Sequence, residues 1–446
     1  MNDQVTRLCG WLTVLFSSEA DRVARETRFI QRQRRFGGAE FVRALVFGWI
    51  ADKEATIEDF AEQLGVSAAA VQQRLTQPCV DMIRSLLESA CAFLMAANPV
   101  TPELARRFTG IYVEDCTSVS LLASLSDVFP GCGGAEAGQG AAGCKALVRM
   151  EVTTGALSVL TWDRGRENDL NLSRRAGEVP AGSLYLADLG FWCPARLDRF
   201  TQQGISWISR VPAGATLAGA TLAGGDEPGG PREKLPTFLA RQKTDRVDQW
   251  ILLGEKAFSF RLVAVRCPPK VAEQKQRRLR QKAKKRGRRP SRHQLILCQW
   301  LVLVTRLGAE DFSAEQLWTL YRVRWQIELV FKRWKSVMGW GHSRARTNGC
   351  RQLTELYAKL LGCLVTHWGS LLRAGLLTNL SPHQILKQVK RAMGTLKDVW
   401  DESDPGRLRA VVEKLARHLN RLKPRARRKT KPGTMELLEN PSLAFN

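Results

Sequence analysis

Tyr321–Lys335 reads YRVRWQIELVFKRWK, and its spacing decides how the rest of the chain is read. At helical pitch each residue advances about 100°. Tyr321, Arg324, Glu328 and Lys335 then share one stripe about 60° wide. Val323, Ile327, Val330 and Trp334 form an apolar stripe about 120° further round. The spacing predicts a single amphipathic helix, packed on one face. Its other face presents a phenol, two cations and one carboxylate. Ser313 is the expected N-cap, with Gln316 as its capping-box partner, and Gly339 the expected stop. By itself such a stripe reads as a salt-bridged surface.

The chain has 446 residues, 44% of them hydrophobic, and a formal net charge of +25. The length allows two to four domains with a sizeable core. The charge asks for a polyanion, nucleic acid before membrane. The eleven cysteines include no CxxC pair, and the five histidines are scattered. This argues against a disulfide framework or a zinc site and fits a reducing cytosol. Leu356–Leu377 is apolar but carries Lys359, His367 and Arg373, so it reads as a buried helix and not a membrane span.

Residues 1–105 read as helical. Within them FAEQLGVSAAAVQQRL, Phe60–Leu75, has the helix-turn-helix pattern. Ala61 is small, Gly65 stands at the turn, and Val66, Val71 and Leu75 are apolar anchors. Ser67 is the expected cap of the second helix. Gln72, Gln73 and Arg74 are expected to face outward, suited to base edges or phosphates.

Further on, IYVED at Ile111–Asp115 and LYLAD at Leu184–Asp188 are apolar strands ending in acids. Leu147–Val152 and Ala156–Trp162 read as strands joined at Thr154-Gly155. Ile205–Val211 reads as another strand. Glu114 lies beside Asp115, and alternation lets only one of them face a site; Asp115 is taken. The Gly-rich stretch Gly131–Gly143 lacks a GK[ST] ending and reads as a flexible connection. Trp250–Leu253, Phe258–Val265 and Leu295–Thr305 look like strands. Lys270–Arg292 between them reads as a solvated, partly disordered basic loop, still able to neutralise phosphates. The end of the chain reads as helical, broken near Pro382, Pro405 and Pro424, with a basic tail at Lys423–Lys431.

The spacing Tyr-x2-Arg-x3-Glu-x6-Lys resembles the signature of DDE-type insertion-sequence transposases, the cut-and-paste group with the YREK motif. The resemblance covers residues 106–345 with specific motifs and the flanks only loosely. It implies an α/β RNase H-like catalytic core with a β-rich insertion, flanked by an N-terminal helical domain and a C-terminal helical region. The corresponding division is 1–105 helical DNA-binding, 106–212 core, 213–310 insertion, 311–370 core, and 371–446 helical, helping to pair protomers. Asp115, Asp188 and Glu328 match the three catalytic acids. Three carboxylates form a hard oxygen site suited to Mg²⁺, with Mn²⁺ as a substitute. Two ions about 3.5–4 Å apart can run cleavage and strand joining as one in-line displacement. Tyr321, Arg324 and Lys335 are then phosphate contacts. Trp300 matches a tryptophan that stacks on a flipped base, although a strand tryptophan is more often core.

The implied partners are terminal inverted repeats and target DNA, with a homodimer on the DNA, no membrane, and a bacterial cytoplasmic, nucleoid-associated location. The alternatives are a non-catalytic DNA-binding regulator derived from a transposase and a structure-selective nuclease on the same fold.

Overall fold

The strands occur in the order expected from the sequence, except for two short ones, Thr216–Ala218 and Glu233–Lys234, that the sequence reading does not anticipate. They are β1 (Ile111–Leu121), β2 (Ala142–Glu151), β3 (Leu157–Arg164), β4 (Leu184–Ala187), β5 (Ser206–Ser209), β6 (Thr216–Ala218), β7 (Glu233–Lys234), β8 (Arg246–Leu253), β9 (Phe258–Arg266) and β10 (Trp300–Thr305). A short helix, Asp169–Arg175, precedes β4, and a second, Pro194–Gln202, precedes β5. This computed structural model describes residues 2–32, 35–99, 101–132, 141–218, 232–254, 256–285, 287–373, 379–424 and 433–442. Most of Gly131–Gly143 and of the Lys423–Lys431 tail lies outside the described residues.

The chain forms two compact units, each assembled from discontinuous segments. The first comprises Met1–Val100, Asp115–Glu167 and Trp325–Met435; the second Thr101–Glu114, Asn168–Arg324 and Glu436–Asn446. Chain order and compactness thus divide the molecule differently, because distant segments pack together.

The first unit is built around the helix Gly349–Ser370, buried continuously from Gln352 to Gly369. A helix that is apolar nearly all round has to be enclosed. Helices Gly38–Ala51, Gln77–Cys91 and Pro382–Gly394 pack against it. Its few polar groups are satisfied. Lys359 Nζ donates to the His342 carbonyl at 2.7 Å, and Arg351 Nε donates to Glu355 at 3.0 Å. His367 Nε2 lies 2.8 Å from the carbonyl of Gly155, in the turn of the β2–β3 hairpin. A carbonyl only accepts, so Nε2 carries the proton.

The helix-turn-helix forms as read. Thr56 and Asp59 cap Ile57–Leu64 reciprocally, Gly65 takes the left-handed turn at φ 62°, and Ser67 caps Ala68–Arg74. Only glycine enters that region without strain.

In the second unit, β1 pairs parallel with β4 through Ile111–Val113, and β4 pairs parallel with β5. β10, β9, β8, β6 and β7 then follow in antiparallel succession. All four residues of β4 are buried, as parallel pairing flanked by strands on both sides requires. In the first unit β1 continues beside β2, with the Val119 carbonyl close against Gly143. Arg261 on β9 ties the antiparallel part together. It grips Asp248 with two bonds of 2.7 Å and donates to the carbonyls of Leu307, Gly308 and Phe312.

Three local expectations are corrected. The stretch Tyr321–Lys335 is not one helix but two, Ala314–Val323 and Trp325–Ser336, separated at Arg324. Arg324 keeps helical dihedrals, but its amide bonds Tyr321 three residues back, a tightened turn. The basic segment Lys270–Arg292 is not a loop over its first part: Pro269–Lys284 is a helix of 16 residues. Proline at its start and a run of Lys, Arg, Gln and Ala favour it. Leu295–Leu297 belongs to a helix beginning at Arg292, capped by Ser291 and Gln294, and the strand starts only at Trp300. Among the described residues no helix is long and apolar enough to cross a membrane.

Burial pushes the His367 imidazole down to about 4, from an ordinary value of 6.5. The folded state therefore holds it neutral while the unfolded chain takes up a proton below about 6.5. Its contribution is complete above that pH and is lost as the pH falls towards about 4, in total about 3 kcal/mol. Urea unfolding at pH 7 and 4.5 should show wild type losing more stability than His367→Gln by about that amount. Equal losses would mean that the ring is not held neutral.

Candidate active site

Asp115 lies within β1, which runs on to Leu121 and does not end at the acid as expected; Asp188 directly follows β4, and Glu328 stands on a helix. In the second unit Asp188 follows β4 directly, in extended conformation, and leads into the turn Leu189–Phe191. Phe191 is buried and anchors that turn. Gly190 fits because a Cβ there would stand 2.8 Å from the Asp169 carboxylate. The Asp188 Oδ1 atom is buried with no hydrogen-bond partner.

Tyr321 comes from the helix Ala314–Val323 to the same place. It is 8% exposed, and its hydroxyl donates to the carbonyl of Ala187, the residue before Asp188, at 3.1 Å. Burial pushes the phenol up; Arg324 and Arg210 draw it back, and the Asp188 charge adds to the rise. The Arg324 guanidinium lies 5.9 Å from the Tyr321 ring centre. Asp188, Arg210, Tyr321 and Arg324 thus form one electrostatic cluster. Tyr321 differs from its expected role as a phosphate contact: its polar tip is spent on a backbone carbonyl inside the fold.

The first unit holds the other two acids. Glu114 and Asp115 divide as alternation requires. Glu114 is fully buried and accepts from Tyr185 Oη at 2.8 Å, both in the second unit, whereas Asp115 is half-buried with its Oδ1 accepting from the Cys116 amide. Glu328 lies in the first turn of Trp325–Ser336, half-buried. Lys335, two turns on, donates to the Ser118 carbonyl of β1 at 2.8 Å. Residues seven apart share a helix face, so the face bearing Glu328 and Lys335 lies along β1, three residues past Asp115. Partial burial lowers the Lys335 pKa.

The remaining expected residues are less uniform. Gln72 and Gln73 are exposed. Arg74 instead turns inward, donating to the Phe29 carbonyl at 3.0 Å and lying over the rings of Phe29 and Phe36. Trp300 is 3% exposed, with the Arg266 guanidinium 4.4 Å over its ring. It is a core side chain whose face is already covered.

Sequence reading passed over three features. Trp325 is 55% exposed, one turn before Glu328; lone aromatic exposure leaves no periodic signal. Arg210 comes within electrostatic reach of Tyr321 only through the fold. A cavity of about 530 Å³ in the first unit is lined by Gln72 together with Arg344, Arg346 and Arg351, and by Glu54 and Glu58. Among the described residues no three His, Cys, Asp or Glu side chains are gathered into a metal cage.

The model of the transposase DDE domain matches residues 115–352, beginning at Asp115 and enclosing Asp188 and Glu328. The chain belongs to the DDE transposase family. An RNase H-like core is what that family implies, and the mixed parallel and antiparallel strands are consistent with it. The chain is 25% identical over 382 residues to the transposase of insertion sequence IS231F from Bacillus thuringiensis subsp. israelensis, covering 80% of this chain and 77% of that one. Against the IS1151 transposase of Clostridium perfringens it is 23% identical over 378 residues, 78% and 77% of the two chains. A segment of 89 residues, 20% of this chain and 24% of the other, is 39% identical to the putative transposase InsL of IS186A from Escherichia coli strain K12. The protein is an insertion-sequence transposase, an enzyme acting on DNA.

Two substitutions separate support from surface in this transposase. Tyr321→Phe removes one buried bond and leaves the Ala187 carbonyl unmet, so urea unfolding should show a loss of about 1–3 kcal/mol. The salt dependence of DNA binding should stay as in wild type, because the hydroxyl meets no phosphate. Trp300→Ala should cost about 3–5 kcal/mol by the same measurement. A wild-type melting curve for Trp300→Ala would return that ring to a surface role.

Proposed function

We propose that this transposase cuts and rejoins DNA strands at Asp115, Asp188 and Glu328, with Mg²⁺ as resident ion and Mn²⁺ as substitute. The observation that carries the reading is the Asp188 Oδ1 atom, buried without a donor. Leaving such an acceptor unmet costs about 1–3 kcal/mol or more, and a hard cation is the partner a carboxylate oxygen suits. In support, the match to the family begins at Asp115 and encloses the other two acids. The donor set fits the ion chemically, although no preformed cage of three such residues is present among the described residues. Divalent ions bound there supply charge stabilisation to the attacking and leaving oxygens of an in-line displacement.

The chain's own residues do the rest. Arg324 and Lys335 hold backbone phosphates beside the scissile bond. Lys335 is exposed while tethered to Ser118, so one N–H bond is spent and the charge still faces outward. Arg210 adds positive charge near Tyr321. Water attacks the scissile phosphorus as the bond to the 3′-oxygen breaks, leaving a 3′-hydroxyl and a 5′-phosphate. That 3′-hydroxyl attacks a target phosphodiester in the same way, its proton lost and the target's 3′-oxygen leaving as a hydroxyl, so that cleavage becomes joining. Gln72 and Gln73 meet the terminal inverted repeats from the helix-turn-helix, and two protomers pair on the DNA. Trp325, and not Trp300, is the indole available to stack on an unpaired base. The stretch Tyr321–Lys335 thus acts as the YREK signature, with Tyr321 as its internal brace. A bacterial cytoplasmic, nucleoid-associated location follows from the substrate.

Glu328→Gln should abolish Mg²⁺-dependent nicking of end DNA while leaving gel-shift binding within a few-fold of wild type. Nicking at the wild-type rate would remove Glu328 from the chemistry. Cleavage without any joined product from the wild type would make the enzyme a nuclease. Trp325→Ala should spare the first nick and weaken the later step by about 1–3 kcal/mol, the worth of one base–aromatic stack. Single-turnover assays that follow both products check it.

A further inference from the structure

The helix Pro269–Lys284, inside the β-rich insertion, reads PKVAEQKQRRLRQKAK. It carries seven Lys or Arg residues and one acid, Glu273. One side is fastened to the second unit. Ala272 is buried, Lys275 Nζ lies 3.0 Å from Cys267 Sγ, and Gln276 Nε2 donates to the Leu295 carbonyl at 3.2 Å. Leu279 and Ala283 continue that half-buried side at helical spacing. Arg277, Arg278, Arg280, Lys282 and Lys284 are exposed, and none forms an ion pair with a described residue. At 1.5 Å per residue the helix is about 24 Å long, roughly the rise of seven base pairs.

We propose that this helix is a sequence-independent grip on duplex DNA, laid along the phosphate backbone. The inference rests on the reading of the chain as a DNA-acting transposase and adds a second contact region to it. The reason is charge complementarity on an ordered support. Uncompensated like charges held together on one helix face repel one another and lower stability, and a run of phosphates relieves that repulsion. The basic side chains act as point charges on flexible stems, which position a duplex without reading bases. The site therefore treats target and flanking DNA alike, whereas the helix-turn-helix deals with the ends. Anionic lipid is the competing polyanion, but the fastened side leaves no exposed aromatic or broad apolar face to enter a bilayer.

The test is the salt dependence of binding, by fluorescence anisotropy, to an end duplex and to a random duplex of the same length. The full-length protein and R277Q/R278Q/R280Q/K282Q are compared. Each lost phosphate contact lowers the slope of log K against log salt by about 0.9. A drop of about two units or more, equal for both duplexes, is expected. The lysine variant R277K/R278K/R280K should keep the wild-type slope, since charge and not a planar fork is needed, and it controls for folding of the helix.

An unchanged slope in the glutamine variant overturns the proposal. So does a loss confined to the end duplex, which would make the contact sequence-specific. Loss of binding to phosphatidylglycerol vesicles with DNA binding intact would assign the helix to membrane. The glutamine variant should still nick end DNA at low salt. Failure of nicking in the wild type itself would count against the catalytic reading and leave this comparison standing.

Discussion

The hydrogen bond from Tyr321 to the carbonyl of Ala187 holds the end of β4 in the second unit. A strand end is ordinarily a place where the backbone can drift. Here the carbonyl before Asp188 is held by a phenol that is itself walled in, so the backbone that leads into Asp188 is held in place. The same tyrosine gives Arg324 a partner, and the charges of Arg210 and Asp188 also act on its phenol. The Arg261 knot serves the same segment from further off. By gripping Leu307, Gly308 and Phe312 it fixes the connection that enters the tyrosine's helix.

Much of this was legible in the residues. Short apolar runs placed Asp115 on a strand and Asp188 directly after one, and a capping box at Ser313 placed the start of the helix that carries Tyr321. These signals are local, and local geometry obeys them. The helix-turn-helix was legible for the same reason: Thr56, Gly65 and Ser67 each specify one backbone position. What was not legible depended on who the neighbours are. Tyr321 and Arg74 both have long apolar bodies with polar tips, and sequence alone does not say whether the tip meets solvent or a carbonyl. Trp300 is covered by Arg266 from the adjacent strand, a pairing that only register reveals. The interruption at Arg324 left no mark because the residue keeps helical dihedrals. The basic helix was misread because its composition matches a disordered segment, although its individual residues are good helix formers.

Charge is distributed in two distinct ways. Arg261, Lys359 and Arg351 are partly or wholly buried and matched, so they hold structure together and contribute little to the outer field. The excess that makes the chain so basic lies on exposed faces, of which Pro269–Lys284 is the densest described. Buried cations stiffen the scaffold, while the outer ones remain free to release counterions when a phosphate arrives. A transposase needs both, because the substrate is long and uniform in charge while the reacting bond is a single one.

The burial of Glu114 has a consequence for how this gene can change. Two acids stand side by side on β1, one spent on Tyr185 in the interior and the other facing the opposite side. Substitutions elsewhere on the strand leave that assignment alone. A single-residue insertion or deletion between Ile111 and Glu114 would exchange the two faces, turning a carboxylate of the wrong length outward and driving the shorter one into the core. The strand can therefore drift in sequence but not in length, and lineages of this element should preserve the number of residues leading to Asp115 even where their identities are lost.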